Sequence, residues 1–376
     1  MAKYRFEEIA YNSTEKKKPT EDDKYTYLGL EHLDSGSLNV NRFGTDVAPK
    51  GEKLIMRKGD VLFGKRRAYQ KKVAIAPFDG IFSAHGMVLR PKEEVIDRDF
   101  FPLFISSDYF LDEAIKISVG SLSPTINWRD LKELEFELPG LDEQKRLAEV
   151  LRAVNDTLGA YKRLLVKTDE LVKARFEEMF GAPDSNIYGF ETSALKEVAI
   201  GSLSYGSTAP AIEYDGKTRY VRITDITETG SLNDDIKSAA KIDEKYILSE
   251  GDILFTRTGA TVGKTFLYQR KYGRCIYAGF LIKMVPDTSK VLPEYVFHFT
   301  KSDFYNNFII SAQRVVAQPN INAQEYGDLK IIVPPLSLQT QFAAFVHQTD
   351  KSKQELKQAI TNLEATYKRI LSDNLT

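Results

Sequence analysis

The chain has 376 residues, of which 28% are charged and 42% hydrophobic, and its formal net charge is −1. The composition excludes a disordered chain, the lack of an apolar run of about eighteen residues excludes a membrane span, and the length favours two or three domains. One cysteine, Cys275, four scattered histidines and a charged N-terminus without a secretory signal predict a cytoplasmic protein with no disulfide, metal or cofactor in this chain.

Residues 1–140 are predicted to be strand-rich, because Gly, Asp and Asn turn signals separate short runs rich in aromatic and β-branched residues. One such run, at 61–63, follows a Gly59-Asp60 turn and leads into a cationic loop. Residues 48–75 hold nine Lys and Arg side chains against only two carboxylates. The nearly neutral chain therefore contains a segregated basic island, which is typical of a surface that binds a polyanion.

Residues 141–181 are predicted to form one long helix. Apolar residues follow a three/four alternation for nearly four heptads, and Gly181 and Pro183 end the pattern. The apolar positions are Leu147, Leu151, Val154, Leu158, Tyr161, Leu165 and Val172, with Thr168 as the one weak position. A helix of about 39 residues is about 58 Å long, which favours a coiled coil. The alternative is an ordinary amphipathic helix packed on its own domain.

The second strand-rich part, residues 182–335, contains another basic island at 253–285, with six Lys and Arg residues and no carboxylate. Within this island, residues 259–265 resemble the end of a nucleotide-binding P-loop. Thr258 stands where that motif requires its first glycine, and the following residues have a strand–turn–strand composition. An NTP-binding enzyme that uses this loop is therefore the least favoured interpretation.

Residues 336–376 repeat the helical design of the first half. The apolar positions here are Phe342, Val346, Leu356, Ile360, Leu363, Tyr367 and Ile370, and Thr349 and Lys353 interrupt the pattern in the middle. Two long apolar helices predict an antiparallel coiled coil between them. A coiled coil is also compatible with a scaffold or adaptor protein that has no nucleic-acid specificity.

The two halves of the chain form a tandem repeat with an offset of 192–195 residues. Six blocks correspond in the same order along both halves. They include KGDVLFGKRRAYQKK at 58–72 with EGDILFTRTGATVGK at 250–264, HGMVLR at 85–90 with AGFLIK at 278–283, and SPTIN at 123–127 with QPNIN at 318–322. Because both basic islands occupy the same place in the repeat, we expect one extended polyanion to be bound twice.

Each copy ends in Pro-x-Ile-Asn, a strand, Pro-Pro/Gly-Leu-x-x-Gln and a long helix, and in this order the motifs resemble the specificity (S) subunit of type I restriction–modification systems. The resemblance covers essentially the whole chain. Its most specific elements are the motifs at 124–127 and 319–322, the turns Gly59-Asp60 and Gly251-Asp252, and the helix entries Gln144 and Gln339. The first copy departs slightly, with Leu-Pro-Gly where the second has Val-Pro-Pro.

The resemblance implies an α/β (α+β) fold in which two similar mixed, strand-rich target-recognition domains form a tandem repeat. Two long helices that form an antiparallel coiled coil, with pseudo-twofold symmetry, are expected to separate them. The expected bounds are target-recognition domains at 1–140 and 182–335 and spacer helices at 141–181 and 336–376. On this expectation, deleting one heptad shortens the spacer by about 10 Å, or about three base pairs of DNA.

The resemblance also implies a non-catalytic subunit that recognises a bipartite, asymmetric sequence in double-stranded DNA. Its implied partners are two methyltransferase (modification) subunits, which carry S-adenosylmethionine and methylate adenine N6, and motor/nuclease (restriction) subunits. Such complexes serve DNA methylation and phage defence. This chain contains no Asn/Asp-Pro-Pro-aromatic methyltransferase signature, since residues 333–336 come nearest and fail at both ends.

The candidate DNA contacts divide into phosphate-binding and base-reading residues. The cations of the two islands are assigned mainly to phosphates: Lys65, Arg66, Arg67, Lys71, Lys72, Arg257, Lys264, Arg270 and Lys271. The segments before Pro-x-Ile-Asn differ most between the copies, and two domains with different targets should differ where they read bases. The candidate base-reading residues are Tyr69, Ser121, Ser123, Gln313, Arg314 and Gln318.

Overall fold

The structure, a computed structural model, describes residues 1–313 and 320–375 and divides into two compact units. The first unit comprises residues 1–162 and 357–376, and the second comprises residues 163–356. Each of the two long helices therefore contributes part of its length to each unit. No helix in the described ranges is long and apolar enough to cross a membrane.

The first unit combines two four-stranded sheets with short helices. Its strands are β1 (Ala2–Arg5), β2 (Ala10–Ser13), β3 (Lys16–Lys17), β4 (Tyr27–Leu28), β5 (Lys53–Met56), β6 (Val61–Phe63), β7 (Val73–Ile75), β8 (Gly80–Phe82), β9 (Met87–Pro91) and β10 (Glu135–Leu138). Its own α-helices are α1 (Phe6–Ile9), α2 (Phe101–Ser106), α3 (Asp108–Lys116) and α4 (Trp128–Leu131), and it contains the first part of α5 (Leu141–Phe180) and the last part of the C-terminal long helix. The sheets have the orders β2-β9-β6-β7 and β3-β5-β8-β4, and β1 pairs with β10.

The second unit has a related plan. Its strands are β11 (Glu191–Ala194), β12 (Ser204–Tyr205), β13 (Ala211–Glu213), β14 (Arg219–Val221), β15 (Lys237–Ala239), β16 (Ile253–Thr256), β17 (Thr265–Leu267), β18 (Cys275–Tyr277), β19 (Leu281–Met284) and β20 (Lys330–Val333). Its own α-helices are α6 (Pro293–Phe299), α7 (Asp303–Gln313) and α8 (Ala323–Gly327), and it contains the last part of α5 and the first part of α9 (Leu336–Leu375). The sheet order β12-β19-β16-β17 and the pair β11-β20 match β2-β9-β6-β7 and β1-β10. The predicted tandem α+β arrangement is therefore confirmed.

The central strand of each unit lies between two hydrophobic cores. Val61 and Phe63 of β6 belong to the core that contains the helices, whereas Leu62 belongs to a second core. In β16, Ile253 and Phe255 likewise belong to one core and Leu254 to another. Successive side chains of a strand point to opposite faces, so an uninterrupted apolar run indicates a strand that is covered on both sides.

The Gly-Asp turns that precede these two strands are built alike. Gly59 and Gly251 have positive φ angles of 91° and 87°, which glycine adopts without strain. The carboxylate of Asp60 accepts a 2.8 Å hydrogen bond from the Arg57 amide, and that of Asp252 accepts one of 2.9 Å from the Ser249 amide. The repeated dipeptide is thus a structural signal for the start of the central strand.

The two long helices pack against each other in antiparallel directions within each unit. In the first unit, Leu147 and Leu151 share a core with Leu371 and Leu375, and Lys162 forms a 2.9 Å ion pair with Glu364. In the second, the Phe176 and Phe342 rings are 5.4 Å apart, and Lys353 forms a 2.5 Å ion pair with Asp169. Of the predicted apolar positions, Leu147, Leu151, Leu158, Phe342, Val346 and Ile360 are buried, whereas Val154, Tyr161, Leu165, Leu356, Leu363 and Tyr367 are half-buried.

A buried glutamine in the first turn of each long helix holds the helix to the strand-rich part of its unit. The Gln144 carbonyl oxygen accepts from the Asp97 amide at 2.8 Å, and its amide group donates to the Val95 and Pro139 carbonyls. Gln339 repeats this pattern with the Leu292 amide at 2.7 Å and two carbonyls. The Leu-x-x-Gln motif therefore fixes where the helix leaves the domain.

His298 of α6 makes the stability of the second unit sensitive to acid. Burial, reinforced by Lys301 and Lys353, lowers the pKa of this imidazole to about 3, and its ring lies 5.3 Å from that of Phe342. Because the folded pKa is below the ordinary value, stability is full above about pH 6.5 and decreases as the pH falls towards 3. We expect a loss of about 1–2 kcal/mol between pH 7 and pH 5.

Hydrogen exchange of the amides in β16 and β19, measured at both pH values, reports this loss for the second unit alone. The variant His298→Phe should flatten the pH dependence, while His347→Gln, a change at an exposed histidine, should leave it as in the wild type. Equal slopes in all three proteins would contradict the assignment to His298.

Candidate nucleic-acid interface

Three segments of the first unit meet at one end of the β6–β7 hairpin. These are the hairpin loop 64–72, the turn 83–86 before β9, and the loop 119–126 that contains the first Pro-x-Ile-Asn motif. We call them together the first basic surface. Backbone hydrogen bonds join the three segments: Arg66 to His85 at 3.2 Å, Arg67 to Pro124 at 2.8 Å, and Ile126 to Lys65 at 2.9 Å.

The loop 119–126 is closed on itself and presents a small apolar tip. The amides and carbonyls of Val119 and Thr125 bond reciprocally at 3.0 and 2.9 Å, and Gly120 supplies a φ of 112°. Leu122 at the tip is 93% exposed. The predicted Ser121 is exposed, and the carbonyl of Ser123 accepts a 3.1 Å bond from the Thr125 hydroxyl.

The side chains of the hairpin loop differ in how available they are to a ligand. Arg66, Arg67 and Tyr69 are exposed, whereas Lys71 donates to Asp108 and Asp112 at 2.6 and 2.7 Å. Burial lowers the pKa of Lys71, but these two carboxylates outweigh burial and raise it. The two remaining lysines are half-buried: Lys72 donates to the Leu30 carbonyl at 2.7 Å, and burial lowers the pKa of Lys65. The arginines thus present the available charge.

Beside the arginines lies an open cleft of about 430 Å³. Its lining includes Tyr27, Glu31, Arg66, Arg67, Gln70 and His85. Burial and then Arg66 lower the pKa of the His85 imidazole, so the ring is neutral at pH 7 and can both donate and accept a hydrogen bond. A cleft with cationic and neutral polar groups suits both the backbone and the base edges of a nucleic acid.

The second unit builds an equivalent surface from the hairpin loop 257–264, the turn 278–280 and residues 320–322, which we call the second basic surface. The Ile321 amide donates to the Arg257 carbonyl at 2.8 Å, as Ile126 does to Lys65. The Arg257 guanidinium is held in place, because it donates to the Asn320 side chain at 3.1 Å and lies 4.7 Å from the centre of the Tyr205 ring.

Comparison with known proteins identifies the family. The type I restriction modification DNA specificity domain matches residues 5–166 and 188–365. The chain belongs to the type I restriction–modification DNA specificity family. The two matched regions correspond to the two halves of the tandem repeat.

Individual relatives agree with this assignment. The chain is 29% identical over 159 residues to the type I restriction enzyme EcoDI specificity subunit of Escherichia coli, a match that covers 41% of this chain and 35% of that protein. It is 21% identical over 360 residues to the StySPI specificity subunit of Salmonella potsdam, covering 89% and 76%. A chain from a solved structure on complex assembly and conformational transition of the type I R-M system shares its fold, with a TM-score of 0.62, 18% identity, and coverage of 99% and 97%.

The P-loop-like segment of this specificity-family chain does not have the structure of a nucleotide site. Residues 259–261 form a single helical turn, Gly263 has a φ of 89°, and Thr265 begins β17. A P-loop instead opens a helix whose first amides bind phosphate. The predicted strand–turn–strand is confirmed, and the NTP-binding interpretation is not favoured.

The structure does not bring all of the predicted contacts of the second copy together. Lys264 lies in the hairpin loop and forms a 2.8 Å ion pair with Glu228. Arg270 and Lys271 follow the other end of β17, where the Arg270 amide bonds to the Glu250 carboxylate at 2.7 Å. Gln313 is the exposed last residue of α7. Arg314 and Gln318 lie outside the described residues.

Sequence reasoning missed two exposed apolar residues of the basic surfaces, Leu122 and Phe280. The repeat alignment placed His85 opposite Ala278, whereas the ladders give another register. In the β6–β9 ladder, Phe63 pairs with Met87, which lies two residues after His85. In the β16–β19 ladder, the equivalent Phe255 pairs with Ile282, which lies two residues after Phe280. The copies thus carry an imidazole and a phenyl ring at the same position. The aromatic residue directly after Gly279 was the available signal.

Proposed function

We propose that this chain is the non-catalytic DNA-recognition subunit of a type I restriction–modification complex. One observation carries the proposal: each unit presents an arginine-bearing surface made from the same three segments, in which backbone hydrogen bonds join the hairpin loop to the turn and to the isoleucine of the Pro-x-Ile-Asn motif. Arginines, exposed in the first unit and half-buried in the second, suit phosphates, and the neighbouring polar and aromatic side chains suit base edges. On this proposal, residues 1–140 and 182–335 are the target-recognition domains and residues 141–181 and 336–376 are spacer helices.

The two surfaces carry different side chains, which supports recognition of an asymmetric, bipartite sequence. The first surface presents Arg66, Arg67 and the neutral His85. The second presents Phe280 beside an Arg257 that stacks on Tyr205. Two readers that share a backbone but differ in contacting groups select different half-sites.

The long helices have features suited to partner subunits. In the second unit, Leu164 and Leu171 of α5 are 47% and 55% exposed and lie one heptad apart, on a face that the unit itself does not cover. We assign this face to the methyltransferase subunits, which carry S-adenosylmethionine and methylate adenine N6, with restriction subunits joining the same cytoplasmic complex. The chain itself recognises double-stranded DNA and positions those enzymes.

Methylome sequencing tests this function. The chain is co-expressed with its methyltransferase subunits in a host that lacks adenine methylation, and N6-methyladenine is mapped at single-base resolution. We expect one split, asymmetric motif that disappears when the chain is omitted. Methylation without any motif would contradict sequence recognition, and assembly of the partners without DNA binding would favour the scaffold interpretation.

A further inference from the structure

Phe280 is an exposed aromatic residue in a rigid position on the second basic surface. Its side chain is 60% exposed, although a phenyl ring gains about 2 kcal/mol or more from burial. Its carbonyl accepts the Arg257 amide at 3.2 Å, and the preceding Gly279 amide donates to the Ser207 carbonyl at 2.6 Å. The backbone on both sides of the ring is therefore fixed, and the ring is presented to solvent beside a cation.

The repeat shows that the side chain at this position differs between the two units. His85 occupies the equivalent position in the first unit, and its carbonyl also accepts a 3.2 Å bond from the hairpin loop, there from the amide of Arg66, one residue beyond Lys65, the counterpart of Arg257. The carbonyl is thus bonded to the hairpin loop in both units, while the side chain changes from an imidazole to a phenyl ring. Such a difference fits a position that distinguishes the two half-sites.

The chemistry of a phenyl ring limits what it can recognise. Phenylalanine neither donates nor accepts hydrogen bonds, so it cannot read the donor and acceptor pattern of a base pair. The apolar group on the base edges of the major groove is the 5-methyl group of thymine. We propose that Phe280 is a specificity-determining residue that contacts the methyl group of one thymine in the half-site of the second unit. This inference rests on the proposed function.

Replacement of thymine by deoxyuridine tests the contact, because it removes only the methyl group. The wild-type methyltransferase complex is titrated with duplexes of its methylated site in which each thymine in turn is replaced. At one thymine we expect a loss of affinity of about 3- to 10-fold, the effect of one buried methyl group and its contacts. The complex with Phe280→Ala should bind the thymine duplex about 3- to 10-fold more weakly and lose the discrimination against uracil.

Two further variants separate the contact from general effects. Phe280→Leu keeps an apolar side chain and should retain part of the discrimination. Ile200→Ala is the matched control, since Ile200 is also 60% exposed but its amide bonds to Val285, at the opposite end of β19 from Phe280. This variant should bind and discriminate as the wild type does.

The outcomes distinguish this inference from the proposed function. A wild-type complex without sequence preference overturns both. A sequence-specific complex in which no thymine-to-uracil change matters, or in which Phe280→Ala keeps full discrimination, overturns only the inference. Sequence-specific binding that no thymine-to-uracil change alters is also the result expected if the ring inserts between base steps, because insertion does not depend on the methyl group.

Discussion

Replacement of Arg66 and Arg67 by glutamine is expected to weaken DNA binding by the complex about 60-fold at 0.1 M salt. Each phosphate contact releases counterions. For each contact, the logarithm of the affinity therefore falls by about 0.9 when the salt concentration rises tenfold. Both side chains are exposed on the first basic surface. Titration over a salt series should therefore show a slope that is shallower by about 1.8.

Lys71→Gln is the matched control for this prediction, because it removes one cation from the same loop. Lys71 is held by Asp108 and Asp112 at 2.6 and 2.7 Å, so its charge is already compensated. We expect a change in affinity of less than about 3-fold and an unaltered salt slope. A loss at Lys71 as large as that at a single arginine would show that the ion pairs do not withdraw this lysine from DNA.

Replacement of Gln339 by leucine is expected to lower the free energy of unfolding of the second unit by about 2–4 kcal/mol. The side chain is fully buried, and its loss leaves the Leu292 amide and the Lys290 and Pro334 carbonyls without this partner. Unsatisfied polar groups of this kind are costly in a protein interior. Hydrogen exchange of the amides in β20 reports the loss within this unit.

Gln144→Leu should produce the same loss in the first unit, since Gln144 makes equivalent bonds to Asp97, Val95 and Pro139. Gln341→Leu is the control, because Gln341 lies on the same helix as Gln339 but is exposed. We expect less than about 0.5 kcal/mol at this position. Similar losses at Gln339 and Gln341 would mean that the effect comes from the leucine and not from the buried bonds.

Much of the fold was predictable because it is encoded locally. The apolar alternation and its glycine and proline ends predicted a helix at 141–181, and α5 spans Leu141–Phe180. The apolar runs after the two Gly-Asp turns predicted short strands, and β6 and β16 begin at Val61 and Ile253. The tandem repeat, which is visible in the sequence as recurring blocks, corresponds to the sheet order that the two units share.

The candidate site was less predictable, because the state of a charge depends on neighbours that are distant in sequence. Lys71 belongs to the basic island, yet Asp108 and Asp112 of α3 neutralise it. Arg270 shares an island with Arg257 but follows the opposite end of β17. A count of cations along the chain therefore shows neither which cation is paired with a carboxylate nor which end of a strand it follows.

The sequence alone determined that the chain is duplicated, that each copy joins a strand-rich part to a long helix, and that cations recur at one place in each copy. These properties depend on composition and periodicity, which are read residue by residue. Only the tertiary structure decided that His85 and Phe280 share a position and that Pro-x-Ile-Asn joins its loop to the basic hairpin. Strand register and loop contacts are set by packing and by hydrogen bonds between distant segments, so they follow from the folded backbone.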